Sequence, residues 1–446
     1  MRTVSRVFGV MLLMSGIATS AAAPSDVDST FGTDGKAVTP AQQTLLQPGE
    51  PSVDSQGRIY VPVYGASLDV GPIPNPATEY AAIMRLTASG VLDSSFGDGG
   101  VLLLPDTPAF APAAIAVDEK QQRLLVGGAG DTSGIGVPNS AAVMRIAFNG
   151  ALDTTFGDGG IARPAVASLI SEVDAIDLLE DGRILTASTD GGSISVSRLL
   201  SDGSVDQSFG TDGRTGLISA PGQPAVSVLR RDRDGNIFVC GPRGFRSTSP
   251  GIEFPDDGVR VGRLSANGMP VTTFGDGGSK EVDLDGPAAC VDLQPGKGGA
   301  FSVAASTPST LVVARLRADG SRDTTFNGSG LDTGPFQSAM APVGRALDDG
   351  RLLLVRSGGA INVGGTEIAL YAPPGHGGIE ITRVAGSPEL RRANGAASTG
   401  DSGGGGALGP AVLVILSLFA ILRSTIRWKS VAASDCQSSR PLLAAG

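Results

Sequence analysis

Five aspartates recur at the head of one short phrase, each three residues before a phenylalanine: Asp28, Asp93, Asp153, Asp206 and Asp323. Carboxylates repeated in this way could gather around a hard cation, or work as an acid and a base. The phrases read DSTFGTDG, DSSFGDGG, DTTFGDGG, DQSFGTDG, VTTFGDGG and DTTFNGSG, centred on Phe31, Phe96, Phe156, Phe209, Phe274 and Phe326. Val271 stands at the aspartate position of the fifth copy, a change that a turn tolerates better than an active site. The aspartates are therefore expected to accept backbone amides and fix a turn, with the phenylalanines packed inside.

Other candidate chemistry is thin. His376 is the sole histidine, so a histidine-rich zinc site is excluded and a Ser-His-Asp triad would have to use this one loop residue. The acidic loops around Asp98, Asp158 and Asp276, and the pair Asp232 and Asp234, offer oxygens to calcium. They lack the EF-hand pattern and its terminal bidentate glutamate, so glycine-driven turns are the primary reading, no cofactor is assigned, and calcium is the alternative. Carboxylates facing each other across a central space could still hydrolyse a glycosidic bond. Cys240 and Cys290 fall in successive repeats and leave two readings open, a disulfide or two buried thiols.

The elements that must position these residues follow from the period. The phenylalanines are 52 to 65 residues apart, a spacing that signals a propeller, a solenoid or an array. Between them lies a polar turn running into an apolar strand, as in SQGRIYVPV from Ser55 and EDGRILTAS from Glu180. A third phrase is a strand holding Arg then Leu or Ile, with Arg85, Arg145, Arg198, Arg263 and Arg315, followed by a glycine turn. These arginines are expected to pair with neighbouring carboxylates or to sit on blade edges. Short strands separated by Gly, Asn and Asp turns argue for hairpins.

Four antiparallel strands per unit make a propeller blade. The expected fold is all-β, a propeller of about six blades, plus one short C-terminal hydrophobic helix. The sixth unit, placed around Ile361–Tyr371, runs out before a phenylalanine phrase, whereas the first such phrase stands alone near the N-terminus. Asp28–Val38 is therefore expected to complete the last blade and shut the ring, removing two free sheet edges. A seventh blade stays open if Gly377–Ala385 hides a degenerate unit. The body, residues 26–385, resembles the delta-60 repeat family of bacterial β-propeller proteins, on the strength of the sixfold Asp-x-x-Phe-Gly-x-x-Gly phrase. That resemblance implies the fold and supplies no activity.

Both ends look like addresses. Residues 1–22 carry Arg2 and Arg6, an apolar run from Val7 to Ile17 and then small residues, the design of a secretory signal cut after Ala22 by signal peptidase. Residues 386–406 form a Gly/Ser-rich linker ending in Gly403, Gly404, Gly405 and Gly406. In residues 407–429 a sixteen-residue uncharged run ends in Arg423, Arg427 and Lys429. As a helix the run would reach about 24 Å, short of a hydrocarbon core of about 30 Å. The glycines, the apolar run and the basic cluster resemble the GlyGly C-terminal sorting signal of Gram-negative bacteria. The resemblance implies a rhomboid-type protease cutting near the glycines, and a protein released or re-anchored at the cell surface. The tail 430–446 departs from the pattern, which leaves a single-span anchor as the alternative.

The net charge is −10, and removing the basic leader and the basic C-terminal segment leaves the body at −15. That sign repels nucleic-acid backbones. The sequence thus points to an exported, non-catalytic binding or scaffold propeller of unassigned ligand. The alternatives are a secreted hydrolase or lyase using channel carboxylates, and a passive structural component of the envelope.

Overall fold

The computed structural model describes residues 23–390 apart from 39–44, 67–79, 106–108, 132–138, 169–170, 191–192, 220–227, 244, 250–251, 256, 308, 337–341, 358, 364–365, 371–378 and 388–389. The leader, the glycine cluster, the C-terminal helix expected in 407–429, the tail and His376 lie outside the described residues. Among the described residues there is no α-helix, and none is long and apolar enough to cross a membrane.

The chain forms six four-stranded antiparallel blades arranged in a propeller ring. The first is Leu45–Pro48, Ile59–Ala66, Tyr80–Leu86 and Val101–Leu103, with Ser52–Val53 also paired to its second strand. The second is Phe110–Asp118, Arg123–Gly130, Ser140–Ala147 and Ile161–Ala162. The third is Ser171–Leu178, Ile184–Asp190, Ser193–Leu199 and Arg214–Ser219. The fourth is Val228–Arg231, Ile237–Pro242, Asp257–Leu264 and Ser279–Pro287. The fifth is Ala289–Pro295, Phe301–Ser306, Thr310–Leu316 and Leu331–Pro335.

The sixth blade takes Val343–Ala346, Leu352–Ser357 and Ile379–Val384 from one end of the chain and Lys36–Val38 from the other. Lys36 faces Thr382, Ala37 faces Ile381 and Val38 faces Glu380 in antiparallel register. The ring closes as the lone phenylalanine phrase implied. One placement needs correction. Ile361 lies in a separate hairpin, Gly359–Val363 with Thr366–Leu370, and the sixth unit's third strand is Ile379–Val384 instead. That strand carries the sixth arginine, Arg383, inside the stretch that had left a seventh blade open. The Arg-Leu signal is disguised there as Arg-Val, after a long hairpin insertion.

Blades stack face to face, and the apolar residues of each strand form the seams between them. The seam of the first and second blades, for example, buries Tyr60, Ile83, Phe110, Leu124, Val126 and Met144. Phe31, Phe96, Phe156, Phe209 and Phe274 are buried, whereas Phe326 is only half-buried. The exception has a local cause. Phe209 lies under the glycine turn of the following blade: Gly268 has φ +81°, and a Cβ added there would stand 2.7 Å from the Phe209 ring. The blade after Phe326 is the sixth, where the corresponding turn is replaced by the parting chain ends, so this ring has no such lid.

Candidate functional site

Three phrases of the repeat meet in one latch. Arg85 Nε donates to Asp93 Oδ2 at 2.9 Å, and its guanidinium lies 4.5 Å from the centre of the Phe96 ring. Arg145 with Asp153 and Phe156, Arg198 with Asp206 and Phe209, and Arg315 with Asp323 and Phe326 repeat the arrangement, at 2.7–2.9 Å for the ion pair and 4.3–5.0 Å for the ring. The other oxygen of each aspartate accepts the amide two residues on, as Asp93 Oδ1 does from Ser95 N at 3.1 Å. Hydrogen bonds from Ser95, with Arg85 beside them, hold the Asp93 carboxyl below the usual carboxylate range.

The latch also crosses between blades. Arg145 Nη1 donates to Ser201 O at 2.7 Å, and Arg198 Nη1 to Ala266 O at 3.0 Å, each in the next blade. Where Val271 replaces aspartate, Arg263 turns to Asp232 at 3.8 Å and to the Phe238 ring at 5.0 Å. The aspartates and phenylalanines singled out by the sequence therefore sit in the frame that joins the blades.

Asp98, Asp158 and Asp276 are exposed on separate blades, and Asp232 accepts Asp234 N and Asn236 N within its own turn. Among the described residues no group of three His, Cys, Asp or Glu side chains could hold a metal ion. Cys240 and Cys290 form a disulfide with Cα atoms 6.1 Å apart, joining the second strand of the fourth blade to the inner strand of the fifth.

The axis holds the residues that sequence reading missed. On each inner strand one residue faces the second residue of the neighbouring strand: Ser52, Val117, Asp177, Arg230, Gln294 and Arg345. Five of these six equivalent positions are polar, and Val117 joins the apolar seam of the first two blades. Arg230 Nη2 reaches Asp292 Oδ1 at 2.6 Å in the adjoining blade. The same nitrogen reaches Glu50 Oε1 at 3.0 Å. Glu50 belongs to the first blade and Arg230 to the fourth, which stand opposite each other in a six-membered ring. Their pair therefore spans the axis.

Asp292 Oδ2 accepts Ala346 N at 2.5 Å and Gln294 Nε2 at 3.0 Å, and Arg231 pairs with Asp177. Burial pushes the Glu50 carboxyl up to about 8, against the pull of Arg230 and Arg345. Burial, joined by the like charge of Arg230, brings Arg345 down to about 10. The signal was present as charged residues in otherwise apolar strands just before the turn phrases, as in AVSVLRRDRDGN and ACVDLQPGKGG.

A second acidic pair stands further along the third blade's inner strand. Burial pushes Glu172 up to about 7, although the residue keeps partial exposure, and Asp174 is raised by burial and by the charge of Glu172. Asp174 Oδ2 accepts Thr189 N at 2.7 Å, which ties that carboxylate to its own blade. At the turn end of the ring, a pocket of about 510 Å³ opens among the first three blades, lined by Ser55, Glu119, Arg123, Glu180, Asp181 and Ser201.

The family comparison agrees with the propeller architecture. Residues 179–209 and 298–326 match a family described as a β-propeller domain of unknown function, DUF5122. No curated protein matches the sequence. Similar solved structures include a catalytically inactive virginiamycin B lyase from Staphylococcus aureus with quinupristin, at 13% identity and TM-score 0.36, over 78% of this chain and 98% of that one. A protein from Lactobacillus plantarum is 14% identical at TM-score 0.36, over 76% and 99%. An α-L-arabinofuranosidase from Clostridium thermocellum is 11% identical at TM-score 0.31, over 65% and 94%. Likenesses at these scores carry no argument.

Proposed function

We propose that this chain is an exported β-propeller that binds or scaffolds through its outer faces and does no chemistry in its channel. The observation that carries the reading is the pair between Glu50 and Arg230 across the axis. A glycosidic hydrolase or lyase of the channel type needs two carboxyl groups free to flank a substrate bond. Here Glu50 and Asp292 both engage one guanidinium, and Asp177 engages Arg231. Such a plug favours face binding, and the pocket among the first three blades, where charged side chains stand beside Leu178 and Leu179, is the primary candidate surface.

Export is supported by the leader-like segment and by a disulfide of the kind that persists in oxidising compartments. The C-terminal glycine cluster and apolar run fit removal by a sorting protease, with surface display or release, and signal peptidase would act at the other end. The deciding experiment presents the mature protein to an array of envelope glycans and extracellular polymers while turnover is followed on the same compounds. Saturable binding without turnover supports the proposal. Turnover abolished by Glu172→Gln would replace it with the enzyme reading, and neither binding nor turnover would leave a passive envelope component.

A further inference from the structure

The segment that closes the ring begins at one residue. Ala23 N donates to Asp26 Oδ2 at 2.8 Å, and Asp26 N donates back to Ala23 O at 2.9 Å. From there the chain is stitched to the sixth blade without a break. Pro24 O accepts Gly386 N at 3.0 Å, Asp26 O accepts Ala385 N at 2.7 Å, and Asp28 N donates to Arg383 O at 2.9 Å. Pro24 and Ser25 are buried, and Ser25 lies against Gly334 of the fifth blade, where an added Cβ would stand 2.1 Å from its hydroxyl.

We propose that hydrolysis of the Ala22–Ala23 bond makes Ala23 the first residue of the working protein, and that Asp26 captures the ammonium ion so formed. The proposal rests on the export reading and deepens it. Water divides the amide: Ala22 leaves with the new carboxylate, and Ala23 keeps the nitrogen and gains protons. That nitrogen already stands at hydrogen-bond distance from the Asp26 carboxylate, so a hydrogen bond charged on the acceptor side alone becomes an ion pair with little movement. A cut one residue later would discard the donor and leave Pro24 at the end. Maturation thereby tightens the closure of the ring.

The test has two arms. In the first, the chain from Ala23 to Gly446 is made behind a removable fusion partner whose protease leaves Ala23 first, as wild type and as Asp26→Asn. Cutting should raise the thermal midpoint of the wild type by about a degree or two and leave Asp26→Asn unmoved. An amine-reactive ester at pH 7 should label the wild-type α-amine several-fold more slowly than that of Asp26→Asn. Equal labelling rates, or equal shifts on cutting, would overturn the capture. In the second arm the full chain is expressed in an exporting host and its N-terminus read by mass spectrometry. A start at Ala23 supports the assignment. A start elsewhere on an exported protein overturns it alone, whereas an uncut leader in every fraction overturns the export reading as well.

Discussion

Arg383 Nε donates to Asp28 Oδ2 at 2.8 Å across 355 residues of sequence, forming the pair that Arg85 and Asp93 form across eight. Its guanidinium stands 4.8 Å from the Phe31 ring, and Arg383 Nη1 reaches Ala88 O of the first blade at 3.0 Å. The sixth latch is thus the common latch with its two halves at opposite ends of the fold. Arg351 also pairs with Asp28 at 2.5 Å, closer than the second arginines Arg123, Arg183 and Arg317 stand to Asp153, Asp206 and Asp323, at 3.6–3.9 Å. Burial works to raise the Asp28 carboxyl, but hydrogen bonds from Thr30 and Arg351 and the charge of Arg383 hold it far below the usual range.

Replacing Asp28 by asparagine should therefore open the ring first. Both partners are largely buried, at 9% exposure for Arg383 and 14% for Asp28, so an uncompensated guanidinium would remain. The expected loss is about 2–3 kcal/mol in urea unfolding. Asp323→Asn, in a more exposed latch, should lose less. Equal losses would mean that the closing latch has no special weight.

Stability should fall on both sides of a mildly acidic optimum. On the acid side, the lowered Asp28 and Asp93 carboxyls stabilise the fold above their unfolded pKa, and that gain disappears as they are protonated. On the alkaline side, Glu172 and Glu50 are raised to about 7 and about 8, so the folded state holds protons that the unfolded chain releases above about 4.5. Their contribution is complete below that value and is lost as pH rises through 7 and 8. Glu50→Gln should be more stable than wild type at pH 9, by about 1–2 kcal/mol, in parallel denaturant titrations. A flat wild-type profile between pH 6 and 9 would contradict the assignment.

Two glycines separate conformational cost from collision. Gly268→Ala meets both a positive φ and the Phe209 ring, and should cost about 2–4 kcal/mol. Gly277→Ala has φ +56° with open space around its Cβ, so about 1 kcal/mol is expected. Thermal melts of the two variants side by side would check the ordering.

The Cys240–Cys290 bridge closes a loop of sequence separation 50 that contains the outer strands of the fourth blade. Reduction, or the double change to alanine, should cost about 3–4 kcal/mol. Peptide mapping without reductant should recover the two cysteines in one linked fragment. Free thiols at both positions in exported protein would remove this staple.

How much of this could be read from the sequence depends on whether the signal repeated. Turn aspartates, buried phenylalanines and latch arginines recur in blade after blade, so their geometry is written several times over. The closing blade was legible because Phe31 has no strand partner before it. Its third strand was not, because the hairpin of Gly359–Leu370 displaced Arg383 from its expected spacing. The axial plug left only a faint mark, charged residues in otherwise apolar strands, for the opposite reason. Glu50, Arg230 and Asp292 each occur once, on different blades, and they meet only because the ring brings inner strands together.

The strand Lys36–Val38 leaves the ribosome long before Ile379–Val384, the strand it must join. Throughout synthesis it waits as an unpaired edge. Only three residues long and beginning with a lysine, it offers a poor template to stray partners. The brevity that makes it the smallest contributor to its blade also makes it safe to carry, and the first strand made is among the last to be placed.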